Sequence, residues 1–113
     1  MDVFLQEKDG EIKDLIIHVL HMGGHVVYMS DAKNPAFKVI AANPNIRFAI
    51  VDIGLGLEPL VALAEIGRGR KQMLCFLYGQ IDVPSLTSIL NKLDAKIICK
   101  TEIVTCLRQE GII

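Results

Sequence analysis

The chain has 113 residues, of which 51% are hydrophobic, and 12 basic residues nearly balance 13 acidic ones. This length accommodates one domain, which we expect to span residues 1–113. The near-neutral charge argues against a nucleic-acid partner, because binding to phosphates needs a clustered excess of Lys and Arg. No apolar run approaches the ~20 residues that cross a bilayer, and the N-terminus lacks a signal-peptide pattern. We therefore expect a cytoplasmic protein without a membrane partner.

The three cysteines, Cys75, Cys99 and Cys106, all lie in apolar stretches of the sequence. Their number is odd and no two of them form a C-x-x-C pair. This pattern predicts buried, reduced thiols of a cytosolic protein rather than a disulfide or a metal site.

Short β-type runs alternate with longer helical patterns along the chain. In the first half, strands are predicted at residues 3–6, 25–29 and 47–53, and helices at residues 11–22, 35–42 and 57–66. The Gly23-Gly24 pair ends the first helix, and Pro35 suits the first turn of the second. The third strand, which ends in Asp52, is almost continuously apolar, as expected of a strand buried on both faces of a parallel sheet.

The second half of the chain continues the same alternation. A turn at residues 67–70 precedes a strand at residues 72–78, and Asp82-Val83-Pro84 opens a fourth helix. A fifth strand follows at residues 96–99, and Thr101 is predicted to cap a fifth helix. Five strand–helix units predict an α/β fold with three layers, in which helices cover both faces of a parallel five-stranded sheet. A flavodoxin-like (βα)5 order and a Rossmann-like half both fit, and either has its functional crevice beyond the carboxyl ends of the strands.

Charged residues stand at several of those strand ends. Glu7, Lys8 and Asp9 follow the first strand, Asp52 ends the third, and Lys100 follows the fifth. In this arrangement the chain resembles, over essentially its whole length, the receiver domain of two-component response regulators. Receivers have an acidic cluster after strand one, a phosphate-accepting Asp at the end of strand three, a Thr or Ser after strand four and a Lys after strand five.

The resemblance makes Asp52 the candidate phosphoacceptor. Glu7 then belongs to the acidic cluster, and Lys100 is the lysine that follows strand five. The chain departs from the pattern at Lys8, which stands where receivers carry a second acid that helps to hold Mg²⁺, and at Tyr78, which stands in place of the small hydroxyl residue. Lys8 would repel a metal ion, and we expect it to pair with Asp52 instead. These departures indicate a degenerate receiver, or pseudo-receiver.

Two alternatives remain open for this cluster. In a register shifted by one residue, Glu7 and Asp9 both reach the site; if Mg²⁺ is bound, Glu7 and Asp52 would be its ligands. Asp52 would otherwise serve only to cap the helix that follows it. We expect no cofactor, with Mg²⁺ as the one candidate.

The expected function is signal transduction by a stand-alone receiver-like domain that docks other proteins and is not a metabolic enzyme. The resemblance implies a kinase or an output protein as the partner, and a homodimer through the face made by helix four, strand five and helix five, at residues 83–107. The apolar tail Ile112-Ile113 is expected to add exposed contact surface. The alternatives are a phosphorylatable response-regulator receiver that accepts phosphate on Asp52, and a flavodoxin-like domain that binds a small ligand.

Overall fold

The structure of the protein is a computed structural model, which describes residues 1–66, 74–79 and 88–113. Its sheet has five strands, all parallel to their neighbours, in the order β2-β1-β3-β4-β5. The strands are β1 (Asp2–Gln6), β2 (Val26–Tyr28), β3 (Ile46–Asp52), β4 (Leu74–Tyr78) and β5 (Asp94–Ile97). The predicted α/β class with a parallel five-stranded sheet is confirmed, and the strand order is the flavodoxin-like one of the two that the sequence allows.

The helices follow the strands in the predicted alternation. They are α1 (Gly10–Met22), α2 (Ala36–Ala42), α3 (Glu58–Ile66), a helical segment at residues 88–90, here α4, and α5 (Ile103–Gln109). Short 3-10 turns, Ile53–Leu55 and Lys100–Glu102, follow β3 and precede α5. No helix in the described ranges has the length and apolar character needed to cross a membrane.

The helices cover the two faces of the sheet and form two core clusters. On one face, Ile16 of α1 and Leu107 of α5 pack with Val3 and Leu5 of β1. On the other face, α2 and α3 pack over alternate residues of the same strands, including Phe4. Successive strand residues point to opposite faces, so β1 and β3 contribute buried side chains to both clusters. This explains the nearly continuous apolar run that the sequence shows in β3.

Several predicted boundaries are corrected by the structure. Strand β5 lies two residues earlier than expected, because its register follows the neighbouring strand β4, with Leu74 opposite Asp94 and Leu77 opposite Ile97. Thr101 does not cap α5: a 3-10 turn runs directly into that helix, which begins without a side-chain cap. The predicted turn at residues 67–70, the start of the fourth strand at residues 72–73 and the helix start at residues 82–84 lie outside the described residues.

The C-terminal tail and the cysteines also differ from expectation. Ile112 is buried in the cluster beneath α1 and α5, and its carbonyl oxygen lies 2.6 Å from Nε2 of His25. The tail therefore stabilises the core and is not the exposed apolar surface that its composition suggests. Cys75 is buried as predicted, and burial, with a smaller effect of Asp94, raises the pKa of its thiol to about 12. Cys99, in contrast, is exposed.

Candidate functional site

Four side chains from distant parts of the sequence meet at the carboxyl edge of the sheet. Glu7 follows β1, Asp52 ends β3 and Tyr78 ends β4, and the register of β3 and β4 sets Asp52 directly beside Tyr78. Lys100, after β5, reaches across to the two acidic residues. Strand β2 lies on one side of β1, and the chain then crosses to β3 on its other side. The cluster therefore lies at this topological switch point, where parallel sheets form their crevices.

Glu7 is the most enclosed member of this cluster. Its side chain is 1% exposed, and both of its carboxylate oxygens accept hydrogen bonds. Oε1 accepts from the backbone N–H of Asp9 at 2.9 Å and lies 3.1 Å from Nζ of Lys100, whereas Oε2 accepts from the Tyr78 hydroxyl at 2.6 Å. Burial alone raises the pKa of Glu7, but the bonds from Tyr78, Asp9 and Lys100 outweigh it and the pKa is lowered. The structure therefore holds Glu7 as a carboxylate.

Asp52 uses its two oxygens differently. Oδ1 accepts a hydrogen bond of 2.9 Å from the N–H of Gly54 and so caps the 3-10 turn that follows β3. Oδ2 lies 3.6 Å from Nζ of Lys100, and the side chain is 15% exposed. Asp52 therefore performs the capping role that the sequence left open and also takes part in the cluster.

Lys100 and Tyr78 provide the donors of the cluster. Nζ of Lys100 lies between the Glu7 and Asp52 carboxylates and 5.7 Å from the centre of the Tyr78 ring. The hydrogen bond to Glu7 raises the pKa of Lys100, so the ammonium form is favoured. Burial, reinforced by Glu7 and Asp52, raises the pKa of Tyr78 well above its ordinary range. Tyr78 thus donates as a neutral phenol, and Lys100 as an ammonium ion.

Lys8 and Asp9 were predicted to reach the cluster, but in the structure neither does. Lys8 is exposed, and its ammonium forms no ion pair within the described ranges, so the predicted pairing with Asp52 is not formed. Glu7 lies on the face of Val3 and Leu5, and the alternation of successive residues directs Lys8 to the opposite face of the sheet. Asp9 does not reach the site either, because its side chain accepts from the N–H groups of Glu11 and Ile12 and caps α1. Lys100 occupies the position that Lys8 was expected to take.

A hard divalent cation does not fit these residues. Mg²⁺ binds through nearly octahedral oxygen ligands, yet both oxygens of Glu7 and Oδ1 of Asp52 already accept hydrogen bonds. The remaining oxygen of Asp52 faces the Lys100 ammonium. Among the residues that the structure describes, no group of three or more His, Cys, Asp and Glu side chains could hold a metal ion.

Two residues without a predicted role complete the surroundings of Asp52. The Gln6 side chain donates a hydrogen bond of 3.2 Å to the backbone carbonyl of Asp52. Gly79 has a φ of 113°, and a Cβ atom there would lie 2.8 Å from Oδ1 of Asp52. A glycine directly after the fourth predicted strand was the available signal, since close backbone approach and positive φ both favour that residue.

In this network two carboxylates share one ammonium, and one phenol donates to the buried carboxylate of Glu7. Removal of a partner of Glu7 is costly, because it leaves a buried charge without its compensation. No family model matches the chain, and no curated protein matches it.

Proposed function

We propose that this chain is a receiver-like interaction module, whose crevice is held in one arrangement by its own residues and which acts by docking another protein. The observation that carries the proposal is the position of Nζ of Lys100, 3.1 Å from Glu7 and 3.6 Å from Asp52. In the receiver family, which the chain resembles, the corresponding space receives a metal ion and a phosphoryl group. Here that space is bridged by an ammonium.

Tyr78 supports the same proposal. Receivers carry a small Thr or Ser at this position, which moves toward the phosphoryl group. The Tyr78 ring is 1% exposed, and its hydroxyl is already engaged with Glu7. A buried ring of this size cannot make the same inward movement without displacing the core around it. A phosphorylation-dependent switch through Tyr78 is therefore unfavourable, and a constitutive docking state is favoured.

The proposed docking surface is the face formed by α4, β5 and α5. Strand β5 is an edge of the sheet, which leaves one side of its backbone available for pairing, and Ile97 on it is 56% exposed. The partner is a signalling protein, either a kinase or an output protein, and a second copy of the chain can be tested first. An edge strand with an exposed apolar side chain suits a two-fold symmetric contact between copies.

Beryllofluoride with Mg²⁺, a mimic of the acyl phosphate, tests the state of the crevice. We expect no saturable change in the amide NMR spectrum of the wild-type protein. The variant Tyr78→Thr replaces the bulky ring by a small hydroxyl residue and removes the donor to Oε2 of Glu7, and it is expected to gain a response. A saturable response of the wild type that Asp52→Asn abolishes would overturn the proposal of a fixed crevice.

Sedimentation velocity tests the docking face by comparing variants on the two edge strands of the sheet. Ile97 on β5 and Val26 on β2 are both exposed β-branched residues, 56% and 49% exposed, on opposite edge strands. We expect concentration-dependent dimerisation that Ile97→Asp abolishes and Val26→Asp preserves. A wild-type chain that stays monomeric, or equal effects of the two variants, would contradict the proposed homodimer.

One observation favours a second function, a phosphorylatable receiver. The Asp52 side chain retains 15% exposure, and Lys100 lies beside it to neutralise an added phosphoryl group. Such a modification would act by shifting the populations of two existing states. This function requires Glu7 to leave Tyr78 and to admit a cation, and the beryllofluoride experiment separates it from the proposal above.

A further inference from the structure

A second crevice, next to the charged cluster, contains two lysines without acidic partners. It lies on the β2 side of the switch point and has a volume of about 350 Å³. Lys8, in the loop after β1, and Lys13, on α1, both line it. Neither ammonium forms an ion pair with any residue in the described part of the chain. The crevice therefore presents positive charge that the folded chain does not itself neutralise.

Glu7 also lines the crevice, but its side chain is 1% exposed and its carboxylate is already compensated. Its oxygens accept hydrogen bonds from Asp9 and Tyr78, and its charge faces Lys100. The Glu7 carboxylate is therefore paired with Lys100 and is not available to a ligand in the crevice. What remains available to a ligand is the pair of ammonium groups of Lys8 and Lys13.

Apolar side chains also line the crevice. Met29, just after β2, and Leu55, in the turn after β3, are both part of the wall and are each 44% exposed. Ser30 lines it too and can supply a hydroxyl group. Small-molecule sites combine apolar lining with a few polar groups that orient the ligand, and they have volumes from about 300 Å³ upward.

From this juxtaposition we infer that the crevice binds a small organic anion with an attached apolar group, whose charge lies between Lys8 and Lys13 and whose apolar part contacts Met29 and Leu55. In parallel α/β sheets, ligands bind beyond the carboxyl ends of the strands, and this crevice is lined by residues that follow β1, β2 and β3 at that edge. The inference does not depend on the docking face, since none of these residues belongs to α4, β5 or α5.

The test is an amide NMR titration of the intact chain with phenyl phosphate. We expect saturable shifts at Lys8, Lys13 and Ser30, and affinity about tenfold weaker in Lys13→Gln, as expected for the loss of one charge-assisted contact. The matched control is Lys38→Gln, an exposed lysine on α2 away from the crevice, which should leave the affinity unchanged.

The apolar half of the site is tested separately. Leu55→Ser should weaken the binding of phenyl phosphate but leave the binding of inorganic phosphate unchanged, because only the phenyl ring would contact Leu55. Phenol, which is uncharged at neutral pH, should bind more weakly than phenyl phosphate. The inference is overturned by an absence of saturable shifts up to about 20 mM phenyl phosphate. Shifts confined to other surfaces, or equal losses in Lys13→Gln and Lys38→Gln, would also overturn it.

Discussion

The hydroxyl of Tyr78 donates a hydrogen bond of 2.6 Å to Oε2 of Glu7, and the two residues are 71 positions apart in the sequence. The bond is buried, and it joins the end of β4 to the end of β1 across the intervening strand β3. It provides one of the donors that keep Glu7 ionised inside the protein. The stability of the cluster should consequently depend on this hydroxyl.

Removal of the Tyr78 hydroxyl is the most direct check of that dependence. Tyr78→Phe keeps the ring in the core but leaves Oε2 of Glu7 without its donor, which costs about 1–3 kcal/mol when the stranded group is buried. Urea denaturation monitored by circular dichroism measures the free energy of unfolding.

The matched control for that variant is Tyr28→Phe. The Tyr28 hydroxyl also donates to a carboxylate, Oδ2 of Asp2 at 3.1 Å, but at a partly buried position. Its removal is expected to change the free energy of unfolding by no more than about 0.5 kcal/mol. Equal losses in the two variants would contradict the role assigned to the Tyr78–Glu7 bond.

Acid should destabilise the protein through Glu7. The pKa of Glu7 in the folded protein lies below its ordinary value of 4.5, so its contribution to stability is complete above pH 4.5 and is lost as the pH falls through the folded value. The free energy of unfolding should therefore decline below that pH, and less steeply in Glu7→Gln than in the wild type. Urea denaturation at a series of pH values tests this; parallel pH profiles for the two proteins would refute it.

Lys100 should contribute more to stability than an ion-paired lysine at the surface. Lys100→Met leaves the buried Glu7 carboxylate without its counter-charge, and we expect a loss of about 1–3 kcal/mol in the free energy of unfolding. Lys92→Met is the control, because Lys92 lies 3.6 Å from Glu65 with both side chains about half exposed, a geometry that contributes only about 0–1 kcal/mol.

A double-mutant cycle identifies the origin of that loss. If Lys100 acts by compensating Glu7, the addition of Glu7→Gln to Lys100→Met should recover part of the lost stability, since the unpaired buried charge is removed. Strictly additive losses would show that Lys100 stabilises the fold in some other way.

Gly79 should be sensitive to the addition of a single methyl group. Gly79→Ala places a Cβ atom 2.8 Å from Oδ1 of Asp52 and 3.0 Å from the backbone nitrogen of Gly54, in a backbone conformation with φ of 113°. Gly24 has a φ of 81° and nothing within 4 Å of the same position, so Gly24→Ala measures the conformational cost alone, about 1–2 kcal/mol. A larger loss for Gly79→Ala, with chemical-shift changes at Asp52, is expected; equal losses would mean that Asp52 moves away freely.

Much of this architecture can be predicted from local sequence patterns. The alternation of β-type and helical periods predicts the parallel sheet and its covering helices, because each period depends only on near neighbours along the chain. The apolar run that ends in Asp52 predicts the central strand for the same reason. The positions of Glu7, Asp52, Tyr78 and Lys100 at strand ends follow from those boundaries, and so does their placement at one edge of a parallel sheet.

The contacts among those residues were decided by the tertiary structure. Lys8 and Lys100 are both plausible partners of Asp52 in the sequence. The alternation after β1 places Glu7 on the side of Tyr78 and Lys8 on the other, where it is exposed, so Lys100 forms the pair. The choice between the two strand orders, the two-residue displacement of β5 and the burial of Ile112 likewise depend on neighbours that are distant in the sequence. Local periodicity specifies which face of an element is apolar, whereas the packing of all elements together determines which charged group meets which.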